Sequence, residues 1–247
     1  MREWLYGRNP VNESLRANRR KYYGVKLAEG VQEKGCLVEI LQICRDLKLP
    51  IEHLPRTRLE AIAAGNQGVL LEAGEYPYSS LDEILALAVR LGEPPLVLVL
   101  DVLQDPQNLG VLLRSAEAVG VHGVILPLRQ TVRVTPAVVN TSAGACEHLL
   151  ITQSNLALAI GRLKDAGLWV VGLEAGPEAQ NLNQVRLDGP LALVVGNEGE
   201  GMRRLVRESC DHLVRLPMRG KIQSLNAAVA GSVVLYMVWQ KRNFFEG

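Results

Sequence analysis

Apolar positions along the chain switch between two spacings. At 11–17, 37–47, 58–64 and 81–89 they recur every three to four residues, which predicts amphipathic helices. Short extended runs at 24–28, Ile51–Leu54 and 68–72 predict strands between them. The alternation sharpens after residue 95. Leu96–Leu100 reads LVLVL and ends in Asp101, the pattern of a strand buried on both faces. Further strands are predicted at 123–126, 148–152, Trp169–Leu173, Leu191–Val195 and 213–216. Helices are predicted at 109–118, 156–166, 203–210 and 225–239, with Gly167 as a C-cap, while 137–145 fits either type.

The strongest punctuation is Leu91-Gly92-Glu93-Pro94-Pro95, because proline cannot continue a helix and disfavours one before it. We therefore expect a small α/β domain over 1–90, a linker at 91–95 and a second α/β domain over 96–247. The second reads as a parallel sheet with helices on both faces. Ligands of such sheets bind beyond the carboxyl ends of the strands. The loops at 101–110, 173–176, 196–201 and 217–224 become the site candidates.

Composition narrows the class. The 247 residues are 48% hydrophobic but only 4% aromatic, so aliphatic side chains must build the core. Net charge is +1, yet residues 1–26 hold seven Lys/Arg against two Glu. Residues 202–221 hold six Lys/Arg against two acidic residues. Two basic patches on a neutral body suit a polyanionic partner. The four cysteines show neither CxxC spacing nor a Cys/His cluster, so neither a metal nor a disulfide framework is expected, and reduced thiols point to the cytoplasm. No signal peptide is expected, and the apolar run at 225–239 is too short to span a bilayer and includes Asn226 and Ser232.

Most familiar chemistries are excluded. Asp101–Gly110 has one glycine, too few for a dinucleotide fingerprint, and GxxxxGK[ST] and GxSxG are absent. No histidine falls in a loop suited to acid–base work. The sequence VVGNEGEGM (194–202) is glycine-rich like a phosphate loop, but Glu198 and Glu200 would repel a phosphate. Either its ligand is neutral or cationic near this point, or the glutamates act in chemistry. Two other polar groups follow apolar strands, namely DPQNLG (105–110) with Arg114, and LPMRG (216–220) with QSLN (223–226). Singly, Asn108 and Ser224 read as N-caps and Glu198 as a complement to a helix N-terminus. Three such loops in one half of the chain argue for a site.

DPQNLGVLLRSAEAVGVHGVIL (105–126), VVGNEGEGM (194–202) and LPMRGKIQSLNAAVA (216–230) resemble, in order and spacing, the three motifs of the SpoU/TrmH RNA ribose 2′-O-methyltransferases of the SPOUT superfamily. NTSAGACEHL (140–149) resembles a further segment of the family. LYGRNPVNESLRA (5–17) and GNQGV (65–69) resemble the small α/β RNA-binding domain of the RlmB-like 23S rRNA guanosine-2′-O-methyltransferases. At residue 66 this chain has Asn where relatives often have His.

The resemblance implies a SPOUT-type α/β fold with a C-terminal trefoil knot and S-adenosylmethionine as cofactor, with no metal. It implies cofactor contacts at Leu173, Gly196, Asn197, Leu216, Met218 and Leu225. It implies catalytic-site positions at Asn108, Arg114, Glu198, Ser224 and Asn226. In the family the arginine matching Arg114 is the proposed base or activator. A guanidinium is essentially always protonated, so orienting a phosphate and stabilising an alkoxide is its easier role. The basic segments 16–21 and 203–207 place phosphate contacts at Arg16, Arg19, Arg20, Lys21, Arg203 and Arg204. A homodimer acting on 23S rRNA or a pre-ribosomal particle is implied. A tRNA 2′-O-methyltransferase and an antibiotic-resistance rRNA methyltransferase are the rival enzymes. A non-catalytic RNA-binding protein is the rival of another class.

Overall fold

The hydrophobic pattern predicts nothing at the N-terminus, yet Arg2–Tyr6 forms the first strand, β1, in the computed structural model. The structure describes residues 2–176, 178–197, 199, 201–222 and 224–242. After β1 come α1 (Arg8–Ala17), β2 (Tyr22–Ala28), α2 (Cys36–Asp46), β3 (Ile51–Leu54), α3 (Arg56–Ile62) and β4 (Val69–Gly74). These strands make a sheet in the order β1-β4-β2-β3, in which only β2 and β3 run parallel. Leu5, Leu15, Val25, Leu27, Leu37, Ile40 and Leu71 are fully or almost fully buried in this unit.

A second sheet follows. Its elements are α4 (Leu81–Leu91), β5 (Leu96–Leu100), α5 (Pro106–Ala118), β6 (Gly123–Pro127), β7 (Ile151–Ser154), α7 (Leu156–Asp165), β8 (Trp169–Leu173), β9 (Gln180–Asn181), β10 (Leu191–Val195), α8 (Arg204–Glu208), β11 (His212–Arg215) and α9 (Ala227–Lys241), with α6 (Pro136–Thr141) lying between β6 and β7 in sequence. The seven strands are parallel throughout, in the order β7-β6-β5-β10-β8-β11-β9. Every residue of β5, β6 and β10 is buried, as expected of strands covered on both faces. Local chemistry sets the helix ends. Ser80 and Glu83 form a capping box on α4 and Gly92 closes it in the left-handed conformation. Asp105, not Asn108, caps α5, and Asn226, not Ser224, caps α9.

The domain division differs from the expected break at 91–95. The two compact units are Met1–Pro77 with Arg133–His148, and Tyr78–Val132 with Leu149–Gly247. Helix α4 belongs to the second unit because Leu81 and Ile84 sit in one core cluster with Val97, Val99 and Ile125. The prolines end a helix there; they do not separate cores. Residues 133–148, expected in the second domain, pack with the first. Asn140 Nδ2 donates to Tyr6 O at 3.1 Å, and Glu147 is fully buried against Arg20. Residue 148 lies in a 3-10 turn (Ala145–His148), so the expected strand at 148–152 begins later, at Ile151. Asn66 is fully buried, donates to Ala63 O and accepts from Gly68 N at 2.8 Å, so it shapes a turn. Among the described residues no helix is long and apolar enough to cross a membrane.

Candidate functional site

Three neighbouring strands, β10, β8 and β11, end on the same side of the sheet and release the chain into loops. Those loops surround a cavity of about 1050 Å³. The first wall is the segment after β10. Gly196 lies so close to the returning chain that a Cβ there would stand 2.4 Å from Gly201 C and 2.5 Å from Met202 N. Only glycine permits that approach. Asn197 and Gly201 exchange two backbone hydrogen bonds of 3.0 Å, which fold the segment back on itself. Met202 is buried against Gly172, where an added Cβ would meet its methyl at 2.8 Å.

All six residues expected to contact the cofactor line this one cavity: Leu173, Gly196, Asn197, Leu216, Met218 and Leu225. Ser224 lines it too. Asn226 sits at the start of α9, where its Oδ1 accepts from the backbone N–H groups of Ala228 and Val229. Its Nδ2 donates to Asn108 Oδ1 at 3.1 Å, joining the first and third motifs across 118 residues of sequence. Arg114 lies exposed on α5. Glu198 falls outside the described residues.

Four charged residues that the sequence does not single out also line the cavity: Glu174 and Lys221, which fall within candidate loops, Arg207, which falls within a basic segment, and Arg215. Glu174 directly follows β8, so its place at a strand's carboxyl end was the available signal. Arg207 donates to Glu174 at 2.8 Å and also to Glu178, and these hydrogen bonds, Glu178 first, raise its pKa. The cavity walls combine glycine backbone, aliphatic side chains and both signs of charge. Its size is at the upper end of the roughly 300–1,000 Å³ usual for small-molecule sites. A neutral adenosine beside glycine backbone, joined to a cationic sulfonium and a zwitterionic amino-acid end, fits that lining.

The expected phosphate contacts are placed less uniformly. Arg20 is a correction: its side chain is 0% exposed and forms a bidentate pair with Glu147 at 3.0 and 2.7 Å, plus a bond to Glu3 at 3.0 Å. Burial lowers its pKa, but the Glu147 and Glu3 carboxylates outweigh that and raise it overall. A cation so enclosed holds the fold and cannot meet a phosphate. Arg19 is half-buried and donates to Tyr76 Oη and to the carbonyls of Glu147 and Pro77. Arg16 is exposed but shared between Glu13 and Glu39. Lys21 is exposed, over the ring of Tyr23. Arg204 is 82% exposed beside Glu208, and Arg203 is drawn onto Asp101. A run of arginines in sequence does not distinguish one that caps a carboxylate in the core from one that faces water.

The fold is that of a SPOUT-type methyltransferase. Residues 95–236 match the SpoU rRNA Methylase family, and residues 4–79 match the RNA 2′-O ribose methyltransferase substrate-binding family. A putative TrmH family tRNA/rRNA methyltransferase of Bacillus subtilis, YacO, is 40% identical over 245 residues, covering 98% of this chain and 96% of its own. The SpoU methyltransferase AviRb of Streptomyces viridochromogenes, solved in complex with S-adenosylmethionine, superposes with a TM-score of 0.81 at 24% identity, over 98% of this chain and 91% of its own. An RNA 2′-O ribose methyltransferase structure superposes with a TM-score of 0.77 at 25% identity, over 98% and 89%. The chain belongs to the SpoU methylase family. It is an RNA methyltransferase, and its cofactor is S-adenosylmethionine.

Proposed function

We propose that this protein methylates the ribose 2′-hydroxyl of a guanosine in 23S rRNA, in the cytoplasm, as a homodimer with a knotted C-terminal region. The observation that carries the reading is the bond between Asn226 and Asn108 beside a cavity lined by all six expected cofactor residues. The match of residues 4–79 to an RNA 2′-O ribose methyltransferase substrate-binding family supports ribose as the acceptor, and the match of residues 95–236 to the SpoU rRNA Methylase family supports rRNA.

Bound in the cavity, S-adenosylmethionine supplies an electrophilic methyl group. The loops of Leu173, Gly196–Met202 and Leu216–Leu225 enclose it and present backbone groups to a neutral nucleoside. Arg114, a permanent cation in water, draws in the phosphate next to the target ribose. It also stabilises negative charge on the 2′-oxygen as the proton leaves. Asn226 holds Asn108, which orients the nucleotide. Ser224 and Glu198 belong to the loops that shape the site. Lys21 and Arg204, both exposed, take more distant phosphates and position the RNA without reading its sequence. Val229, Val233 and Tyr236 leave one face of α9 exposed at 46%, 40% and 48%, and Val111 of the adjoining α5 is 42% exposed. That apolar stripe supports a helix-to-helix dimer face.

The test is methyl transfer from labelled S-adenosylmethionine to unmodified 23S rRNA and, in parallel, unmodified tRNA, with the modified ribose mapped. Label at one 23S guanosine 2′-position is the expected result. Label only in tRNA keeps the chemistry and overturns the rRNA assignment. No label in either, in RNA or in ribosomal precursor particles, overturns the enzyme reading in favour of RNA binding alone.

A further inference from the structure

Asp101 follows β5, and its side chain is 0% exposed. A buried carboxylate needs donors. Among the described residues, all its donors come from one residue. Asp101 Oδ2 accepts from the Arg203 backbone N–H at 2.7 Å, and Oδ1 accepts from Arg203 Nε at 2.8 Å and lies 2.7 Å from Arg203 Nη2. The backbone N–H of Asp101 meanwhile donates to Val195 O at 2.8 Å. Val195 is the last residue before the Gly196–Met202 wall of the cavity, and Arg203 is the first after it. One residue therefore fastens both ends of that wall.

Within the wall, the paired backbone hydrogen bonds of Asn197 and Gly201 and the buried Met202 set its turn, while Asp101 fastens its two ends. The wall includes three glycines, and a glycine-rich segment has the most backbone freedom to lose on ordering. Asp101 also opens the 101–105 loop, which leads through the Asp105 N-cap to Asn108 and Arg114 on α5. Its carboxylate is the point where the loop of the cofactor and the loop of the catalytic motif share one anchor. Arg203 is thereby an intramolecular clamp; its guanidinium is spent on Asp101 before any phosphate arrives.

We propose that Asp101, acting through Arg203, is a positioning residue that holds the Gly196–Met202 loop in the shape that takes S-adenosylmethionine. It touches neither cofactor nor RNA, and the proposal rests on the reading that this cavity is the cofactor site. Asp101→Asn removes the charge that gathers the three donors. Arg203→Ala keeps the backbone bond and loses the guanidinium. Arg203→Lys restores a cation that can reach one carboxylate oxygen.

The experiment is calorimetric titration of the intact protein with S-adenosylmethionine, alongside RNA affinity by filter binding and the thermal midpoint. Losing a charge-assisted hydrogen bond should weaken cofactor binding about tenfold or more in Asp101→Asn and Arg203→Ala. RNA affinity should stay within about twofold, and Arg203→Lys should recover most of the loss. Arg186→Ala, at an exposed pair with Asp188, is the control and should change nothing. Should Asp101→Asn fail to fold, Arg203→Ala decides alone, because its side chain is part-exposed and its removal leaves the backbone bond in place. Unchanged cofactor affinity in folded Arg203→Ala overturns the proposal, as does an equal fall in cofactor and RNA affinity that Arg203→Lys does not recover. No cofactor binding by the wild-type protein overturns the reading of the cavity and the proposal with it.

Discussion

Asn226 performs two tasks with one amide. Its oxygen caps α9 and its nitrogen holds Asn108. Aspartate can do the first and not the second. Asn226→Asp should therefore keep the thermal midpoint of the wild type while turnover falls about tenfold, the loss expected for one hydrogen bond. Asn226→Ala loses the cap as well, worth about 1 kcal/mol of stability. Thermal melts beside single-turnover rates separate the two tasks, and equal rates in Asn226→Asp would show that the Asn108 contact is idle. Arg114 makes a sharper case. Arg114→Ala should leave cofactor affinity intact and lower turnover about a hundredfold or more, with Arg114→Lys recovering little because a point charge cannot replace a planar fork. Full turnover in Arg114→Ala would remove the electrostatic role. A motif fixes Asn108 and Asn226 by type and spacing, and the structure joins the two by a hydrogen bond. Arg20 was misread because its partner Glu147 is 127 residues away, in a segment assigned to the other domain. No local pattern reports such a pairing.

The bounds of β5, β8 and β10 match the expectation residue for residue, and in β5 and β10 burial on both faces writes the unbroken apolar run that makes a strand legible. Elements were read poorly where tertiary pairing decides. β1 carries the mixed sequence REWLY and is a strand because it pairs with β4 along five residues. Helix α4 was recognised as a helix and attached to the wrong unit, and Gly123 shows why it belongs to the second. A Cβ on Gly123 would stand 2.5–2.6 Å from three side-chain carbons of the fully buried Ile84. That contact requires β6 to carry no side chain under the helix. Gly123→Ala should cost about 1–3 kcal/mol through overpacking. Ile84→Ala should cost about 2–5 kcal/mol through the cavity it leaves. The double variant should be more stable than the sum by at least about 0.5 kcal/mol, since the new methyl partly fills the new space. Urea denaturation of the four proteins measures this, and strict additivity would mean that Gly123 and Ile84 do not share the packing that ties α4 to the sheet.

On the scale of the whole second unit, the two ends of the parallel sheet divide the work. The carboxyl ends of β8, β10 and β11 open into the cavity, lined by glycines and charges. The amino ends are closed by bonds that no ligand needs. Arg242, just past α9, donates to the carbonyls of Pro94, Pro95 and Gly189, which lead into β5 and β10. Beside it His122 is buried, with Nδ1 accepting the Leu96 N–H at 3.0 Å and Nε2 3.2 Å from Glu93. Accepting at Nδ1 requires the neutral ring, and burial lowers the pKa below its ordinary 6.5, only partly opposed by the Glu93 charge. The unfolded chain then binds this proton at a pH where the native state does not. Stability from His122 is full above about pH 6.5 and drains away as pH falls through the lowered native value, at no more than about 1.4 kcal/mol per pH unit for one proton. His122→Asn places an oxygen where Nδ1 was, keeps an acceptor for Leu96 and removes the titration. Its unfolding free energy should fall less steeply than the wild type's below pH 6.5, and its cofactor affinity at neutral pH should be unchanged, because the residue lies at the far end of the strands from the cavity. Parallel slopes in the two proteins would mean that His122 titrates alike folded and unfolded. A loss of cofactor binding would mean that the two ends of the sheet are not independent.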